Sequence, residues 1–459
     1  MKTRSGFVSL AEYERIKLLL FQAMKRIDEL EARLNKRSNN SSKPPSSDGL
    51  KKVVKNNREK SNRKPGAQPG HKGSGLSLMK TIDKIVEHKV FGKCDCGIEL
   101  SKGKILTVEH RQVINFPEKL TEVTDHQVEV KRCKCGKIHK AVCDYSQRVQ
   151  YGERIKTFLV YCNQYQQIPY GRLQEFVGDM FGISISDGII QSSIEQCYEN
   201  LKSTENQIKA SLLESEVLHN DETGMRCENK TGWIHSASNS THTLYFYHPK
   251  RGTEAIDAMG ILPFYKGASI HDRWSSYDKY DCIHGLCNSH LLRDLKFMHE
   301  EMNRAWAEEL KLLLQHANEK KQKGSLTKHF RTRIKNQMQS IVTKALGKEP
   351  KAEWVPGKRG RKAKGKAICL LEVFRDRINQ ILLFLERAAV PFDNNLAERD
   401  LRMIKLKQKI SGCFRTRKGA EYFCRIRSYI STVKKQGKNI MGSLTLALQG
   451  KPLDLKFCH

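Results

Sequence analysis

The sequence predicts a multidomain α+β protein, and three observations predict it. Residues 8–36 carry a charged helical period, residues 215–248 hold three successive β-like runs, and residues 291–390 return to a charged helical pattern. A chain of 459 residues is long enough for several domains of roughly 100–200 residues each. Hydrophobic residues are 38% of it, enough to build cores. Lys plus Arg number 82 against 50 Asp plus Glu, a formal net charge of +32. That excess predicts a polyanionic partner, because neutralised phosphates release their counterions; an anionic membrane surface is the competing partner. No apolar run reaches the roughly 18 residues of a membrane span. Met1-Lys-Thr-Arg-Ser-Gly6 leads into the charged helix and not into an apolar signal core. The 14 cysteines are therefore expected to be thiols or metal ligands in a reducing cytoplasm.

Residues 1–36 are expected to be a coiled-coil helix. Tyr13, Leu20, Ile27 and Leu34 recur every seven residues, and Ile16, Ala23 and Leu30 follow three behind. That is an a/d seam of about three heptads, suited to self-association or to packing on its own domain. Residues 37–80 read as a flexible basic arm. Asn39 to Asp48 is rich in Asn, Ser and Pro, and from Lys51 to Lys72 the basic residues face Glu59 alone. The run Arg63-Lys-Pro-Gly-Ala-Gln-Pro-Gly-His-Lys-Gly73 stays extended and can lie along a phosphate backbone or in a minor groove. Lys64, His71 and Lys72 are its DNA-contact candidates, and a solvated linker is the other reading.

Residues 81–148 read as a small zinc-finger-like module. Val86, Val90, Ile105, Val108, Val113, Val123, Val128 and Val130 suggest short strands. Cys94 with Cys96, and Cys133 with Cys135, each precede a glycine, so two thiolate pairs can form a tetrahedral zinc site. Both pairs are Cys-x-Cys where Cys-x₂-Cys is usual, and His139 and Cys143 are the substitutes at hand.

Residues 149–212 are expected to be a helical DNA-binding region. Ile155, Phe158, Leu159 and Cys162 form one apolar stripe, and Leu173, Phe176, Val177 and Met180 a second. Gly182 to Gly188 makes a turn in which Ser186 can cap the next helix, giving a helix-turn-helix-like shape.

Residues 213–298 read as the first part of a catalytic core. Val217-Leu-His-Asn-Asp221 is expected as a strand with an acidic tip, Glu222 and Thr223 forming its turn. Gly232–Ser238 and Thr243–His248 are the next strands, 253–260 a short helix, and Ala268-Ser-Ile-His-Asp272 a fourth strand with a second acidic tip. A short strand at 282–287 and a helix from about His290 complete a β-β-β-α-β-α order, the pattern of an RNase-H-like core with its first strand between later ones. Residues 299–390 read as a helical insertion with a basic linker at 349–366. Residues 391–459 supply the last core helix and a mixed, basic C-terminal tail. Asp393 or an adjacent Asn caps that helix, and Leu396, Leu401, Met403 and Ile404 give its apolar side. Arg399 and Arg402 fall on more polar faces and are candidates for meeting phosphates.

Cleavage of a phosphodiester needs charge neutralised on the attacking and leaving oxygens, which two Mg²⁺ ions held by carboxylates can do. Asp221 and Asp272 at strand ends, with Glu398 on a later helix, make a candidate set. His219 and His271 flank the acids, and neither is assigned as a base.

The chain resembles transposases of the insertion-sequence-66 family, of the DDE type. The resemblance rests on Asn39–Asp48, Pro65–Gly73, His219-Asn-Asp-Glu-Thr223, Arg251-Gly, His271-Asp-Arg-Trp-Ser-Ser-Tyr277, Leu286-Cys-Asn-Ser-His-Leu-Leu-Arg293 and Pro391–Arg402, and it covers nearly the whole chain. It implies that Asp221, Asp272 and Glu398 are the catalytic triad and hold Mg²⁺ or Mn²⁺. It also implies that Asn394-Asn395 precede the third acid, and that the element encodes accessory proteins. Cys287-Asn-Ser-His290 is similar to a Cys-x₂-His found in related enzymes and is read as structural, with Arg293 beside it as a DNA contact. The expected function is cutting and strand transfer of transposon ends by a bacterial, nucleoid-associated homo-oligomer, with DNA as partner and no membrane. A non-enzymatic DNA-binding regulator and a structure-specific nuclease are the alternatives.

Overall fold

The computed structural model describes residues 10–35, 78–102, 104–117, 120–144, 147–324, 326–350 and 364–455. The basic arm with Lys64, His71 and Lys72, and most of the basic linker, lie outside the described residues. The chain divides into two units, one of residues 58–146 with 178–183, the other of 1–57, 147–177 and 184–459. Helix α1 (Leu10–Leu34) forms where the heptad spacing predicts, and Tyr13, Ile16, Leu20, Ile27, Leu30 and Leu34 on its seam are all exposed.

The smaller unit holds one described hairpin, β1 (Val130–Arg132) antiparallel to β2 (Ile138–Lys140). The strands expected around Val86, Val90, Ile105, Val108, Val113, Val123 and Val128 do not form. Strands need cross-strand partners and a face to bury, yet Val90, Ile105, Val108, Val113 and Val123 are exposed.

In the larger unit, α2 (Glu153–Val160) runs into a π-turn at Tyr161–Tyr165. Helices α3 (Tyr170–Phe181), whose residues from 178 on count with the smaller unit, and α4 (Asp187–Asn200) follow, then α5 (Lys202–Leu213). Gly182 turns the chain at φ +66° and Ser186 Oγ accepts from the Ile189 N–H at 3.4 Å, the cap its position predicts.

The central sheet is built from β3 (Val217–Cys227), β4 (Lys230–Ser238), β5 (Thr243–His248), β6 (Ala268–His271) and β7 (Ile283–Leu286), with α6 (Thr253–Met259) between β5 and β6. Its order is β5-β4-β3-β6-β7, so the first strand does lie between later ones. β3, β4 and β5 form an antiparallel meander, while β6 and β7 run parallel to β3. One expectation fails here. β3 does not stop at Asp221 but continues to Cys227, so Glu222, Thr223 and Gly224 are strand residues. The reason is β4, which pairs with β3 from His219 all the way to Cys227 through a tight Glu228-Asn229 turn with both φ positive.

Helices α7 (Asn288–Glu300), α8 (Ala305–Gln322), α9 (Lys328–Lys348), α10 (Lys366–Asp376), α11 (Ile378–Ile381) and α12 (Leu383–Glu386) follow. Past the basic linker the helical insertion is broken at Arg377 and Leu382, which leave helical geometry. Leu310, Leu314, Ile334, Met338, Leu371 and Phe374 from this block share one core with Ala268, Ile270 and Leu286 of the sheet. The inserted helices therefore support β6 and β7 directly.

Helix α13 (Asn395–Ser411) leads to a short β8 (Cys413–Phe414) beside the end of β3, then α14 (Arg417–Lys435) and α15 (Ile440–Leu448). The expected tail is thus structural. α14 buries Tyr422, Phe423, Ile426, Tyr429, Ile430 and Val433, a helical apolar period. Ser428 and Thr432 hydroxyls accept from the Tyr245 and Thr243 N–H groups at 2.8 and 3.1 Å, closing the open edge of β5.

Candidate acidic catalytic site

Register brings the two aspartates near one another. In the parallel pair, Val217 lies beside Ala268, Leu218 beside Ser269 and His219 beside Ile270. Continuing that register by two residues sets Asp272 level with Asp221, on strands that neighbour at about 4.8 Å. The β3–β6 ladder ends at His219, and β8 joins β3 only at Arg226, so Asp221 sits in a gap in the pairing although it is not a strand tip. Asn220 and Ser269 tie the two strands by a 2.9 Å side-chain hydrogen bond just before the gap.

Glu398 comes to the same place on the first turn of α13. Asn394 sets that turn. Its side chain does not cap the helix but turns inward, with Oδ1 2.8 Å from His219 Nδ1 and Nδ2 donating to the Asn220 carbonyl at 2.8 Å. Its N–H donates to Cys287 Sγ at 3.2 Å. The helix end is served instead by Asp393, whose Oδ1 accepts from the Asn395 N–H at 3.1 Å. Asn394 thus bolts the third-acid helix onto the strand of the first acid, and Cys287 bolts it to the start of α7.

Burial pushes the Asp221 carboxyl well above its usual range, repulsion from Glu222 adds to that, and Asp272 and Glu398 push in the same direction, while the Glu222 N–H opposes them. Three acids acting on one half-buried carboxyl is the electrostatic setting in which a divalent cation fits. Asp272 Oδ1 accepts from the Trp274 N–H at 2.9 Å, which fixes its turn. His271 behind it is fully buried, hydrogen-bonded to the Asp272 carbonyl and to His284, and stacked on Tyr277 at 4.6 Å. It packs.

Glu398 Oε1 lies 3.4 Å from Arg293 Nη2 and 3.8 Å from His290 Nε2. Among the described residues, Cys287, His290 and Glu398 are the set of three ligand atoms within 4.8 Å of one another. Burial drives the Cys287 thiol up to about 12, and its sulfur already takes backbone N–H groups from Asn394 and His290. Cys287 thus ties the start of α7 to the start of α13. Burial, with the Arg293 charge, holds His290 near 4.

Arg399 and Arg402 are exposed on α13. Lys405 lies on the Glu398 side of that helix, and its charge interacts with Asp221. In the smaller unit, Cys94 and Cys133 each sit on a matched turn: Gly97 and Gly136 N–H donate back to their carbonyls at 2.7 and 2.8 Å. Both glycines have positive φ, +86° and +87°. The backbone N–H of Cys96 lowers the Cys94 thiol, and that of Cys135 lowers the Cys133 thiol.

The core just described coincides with a recognised unit. A model of the Transposase IS66 family matches residues 148–422. The chain belongs to that family. A second model, of a family of unknown function, matches residues 10–77. No curated protein matches the chain. Transposases act on DNA, in keeping with the charge of +32. No helix among the described residues is long and apolar enough to cross a membrane. The matched region of this transposase contains both aspartates, Glu398 and every side chain around them.

Several of those side chains escaped the sequence reading. Glu222, assigned to a turn, has its side chain only 2% exposed and accepts from Arg251 and Tyr277. Trp233 and Trp274 flank Arg251. The Arg251-Gly and Trp274–Tyr277 motifs were the available signal, but pairing across three loops and strands is a tertiary fact.

Proposed function

We propose that this transposase cuts DNA at the ends of its element and joins the freed ends to target DNA, with Asp221, Asp272 and Glu398 as a DDE triad in an RNase-H-like core. The observation that carries this reading is that Asp221 and Asp272 each lie two residues past the last paired positions of β3 and β6, and that the charges of Asp272 and Glu398 both act on Asp221. The three carboxylates would hold Mg²⁺ or Mn²⁺, which supply charge neutralisation on the phosphodiester oxygens and Lewis acidity at phosphorus. In the first reaction a water oxygen bonds to phosphorus and the bond to the 3′ oxygen breaks, leaving a 3′-OH. In the second, that 3′ oxygen bonds to a target phosphorus and the target's own 3′ oxygen leaves.

The chain's residues have distinct parts in this. Asp221 on β3 and Asp272 just past the end of β6 would hold the cations. Asn394 and Cys287 fix the turn that delivers Glu398, and Arg293 holds its carboxylate. Lys405, Arg399 and Arg402 face incoming phosphates from α13. The basic arm, a zinc-holding module at Cys94, Cys96, Cys133 and Cys135, and the α3–α4 pair grip the ends. The uncovered seam of α1 pairs subunits, and accessory proteins of the element complete the machinery.

Asp221→Asn, Asp272→Asn and Glu398→Gln, made singly, are each expected to abolish divalent-cation-dependent cleavage of end DNA while binding persists. Full cleavage by any one removes that residue from the triad. A chain that binds ends without cutting is a regulator, and one that cuts branched DNA regardless of end sequence is a nuclease.

A further inference from the structure

Beside the acids lies an arginine that the triad chemistry does not use. Arg251 Nε and Nη2 both donate to Glu222 Oε1, at 3.0 and 2.6 Å. Tyr277 Oη donates to the other oxygen, Oε2, at 2.6 Å. The Glu222 side chain is 2% exposed, whereas that of Arg251 is 40% exposed. The guanidinium lies 4.3 Å from the Trp274 ring centre and 4.8 Å from that of Trp233. Trp233 stands opposite Gly224 in the β3–β4 register.

These contacts fix the guanidinium in plane and in rotation. Cation–π contact with two indoles holds its faces, and Glu222 holds its inner edge. Its Nη1 edge donates to no group among the described residues. An arginine needed only to neutralise Glu222 has no use for two indoles that keep a second edge open. The place matters as well. Trp274, which covers Arg251, is the residue whose N–H pins Asp272, and the Asp272 charge is felt at Glu222. A DNA strand reaching these carboxylates brings its own negative charge and must meet fixed cations. A guanidinium with one edge anchored and one edge open matches the paired oxygens of a phosphodiester.

We infer that Arg251 is a DNA phosphate-binding residue at the mouth of the acidic site, pre-set by Glu222, Tyr277, Trp233 and Trp274 to hold a phosphate next to the one being cut. The inference rests on the proposed triad for its location, but its test does not require cleavage. Binding of a duplex bearing the element's terminal repeat is measured by anisotropy over a range of salt, without divalent cations, for the full chain and for Arg251→Ala and Arg251→Lys. Arg251→Ala is expected to bind about 10- to 100-fold more weakly, the range for a lost charged hydrogen-bond pair. Its slope of log K on log salt should be shallower by about 0.9, one phosphate contact. Arg251→Lys should restore the slope and only part of the affinity. A neutral methylphosphonate walked along the strand should weaken the parent at one position and leave Arg251→Ala unaffected there.

An unchanged slope in Arg251→Ala overturns the inference, and so does an affinity loss that Arg251→Lys fails to restore in slope while thermal unfolding falls in step. If the parent chain never cuts end DNA with any divalent cation, the triad reading fails, and the salt slope still decides the role of Arg251.

Discussion

Asn394 is the residue on which the placement of Glu398 depends, and removing its side chain tests that dependence. It is 2% exposed, and its amide meets His219 Nδ1 and the Asn220 carbonyl, both at 2.8 Å. Asn394→Ala leaves both partners buried without a hydrogen bond. Each such orphan costs about 1–3 kcal/mol, so the variant should lose about 2–6 kcal/mol of stability. The larger effect is on rate. Glu398 follows one helical turn later, and a displacement of about 1 Å in a catalytic group costs on the order of 100-fold. Urea unfolding gives the first number, and single-turnover cleavage of end DNA below the unfolding range gives the second. Asn394→Asp keeps the shape but replaces the donor to Asn220 with a further negative charge among the acids, so it should be slower than Asn394→Ala. An Asn394→Ala protein within about 0.5 kcal/mol of the parent, cutting at the parent rate, would refute the reasoning.

Acid should destabilise the core through its buried histidines. Burial lowers His235 and His271 to about 4, against an ordinary 6.5. The unfolded chain then takes up protons first, so stability is full above about 6.5 and is lost as pH falls towards 4. By pH 5 each contributes a loss of about 2 kcal/mol, and His271→Gln should remove its share of the slope in urea midpoints against pH. Gly267→Ala should cost about 1–3 kcal/mol, read by thermal unfolding, because an added Cβ would lie 2.2 Å from Tyr265 Oη and 2.7 Å from the Ser215 carbonyl. Protein made with zinc present should carry about one equivalent by elemental analysis. Cys94→Ser with Cys133→Ser should lose that zinc, and Cys287→Ser should keep it.

The sequence by itself determined several elements and their chemistry. Period marked α1 and alternation the three-strand meander, because helices repeat every 3.6 residues and strands every two. Ser186 marked its helix start because a hydroxyl there meets an open N–H. The order of strands and the acids on them were legible, since β-β-β-α-β with a first strand that both hairpins and pairs in parallel has few layouts. Tertiary structure decided what depends on distant partners. Whether β3 ended at Asp221 was settled by β4 pairing along its whole length, and whether the valines of the smaller unit made strands was settled by what lay against them. The tail became a core helix because β5 had an open edge to close. Glu222 is an anchor and not a turn because Arg251 and Tyr277 converge on it. Such convergence follows from sheet register and packing, and no local pattern of residues encodes it.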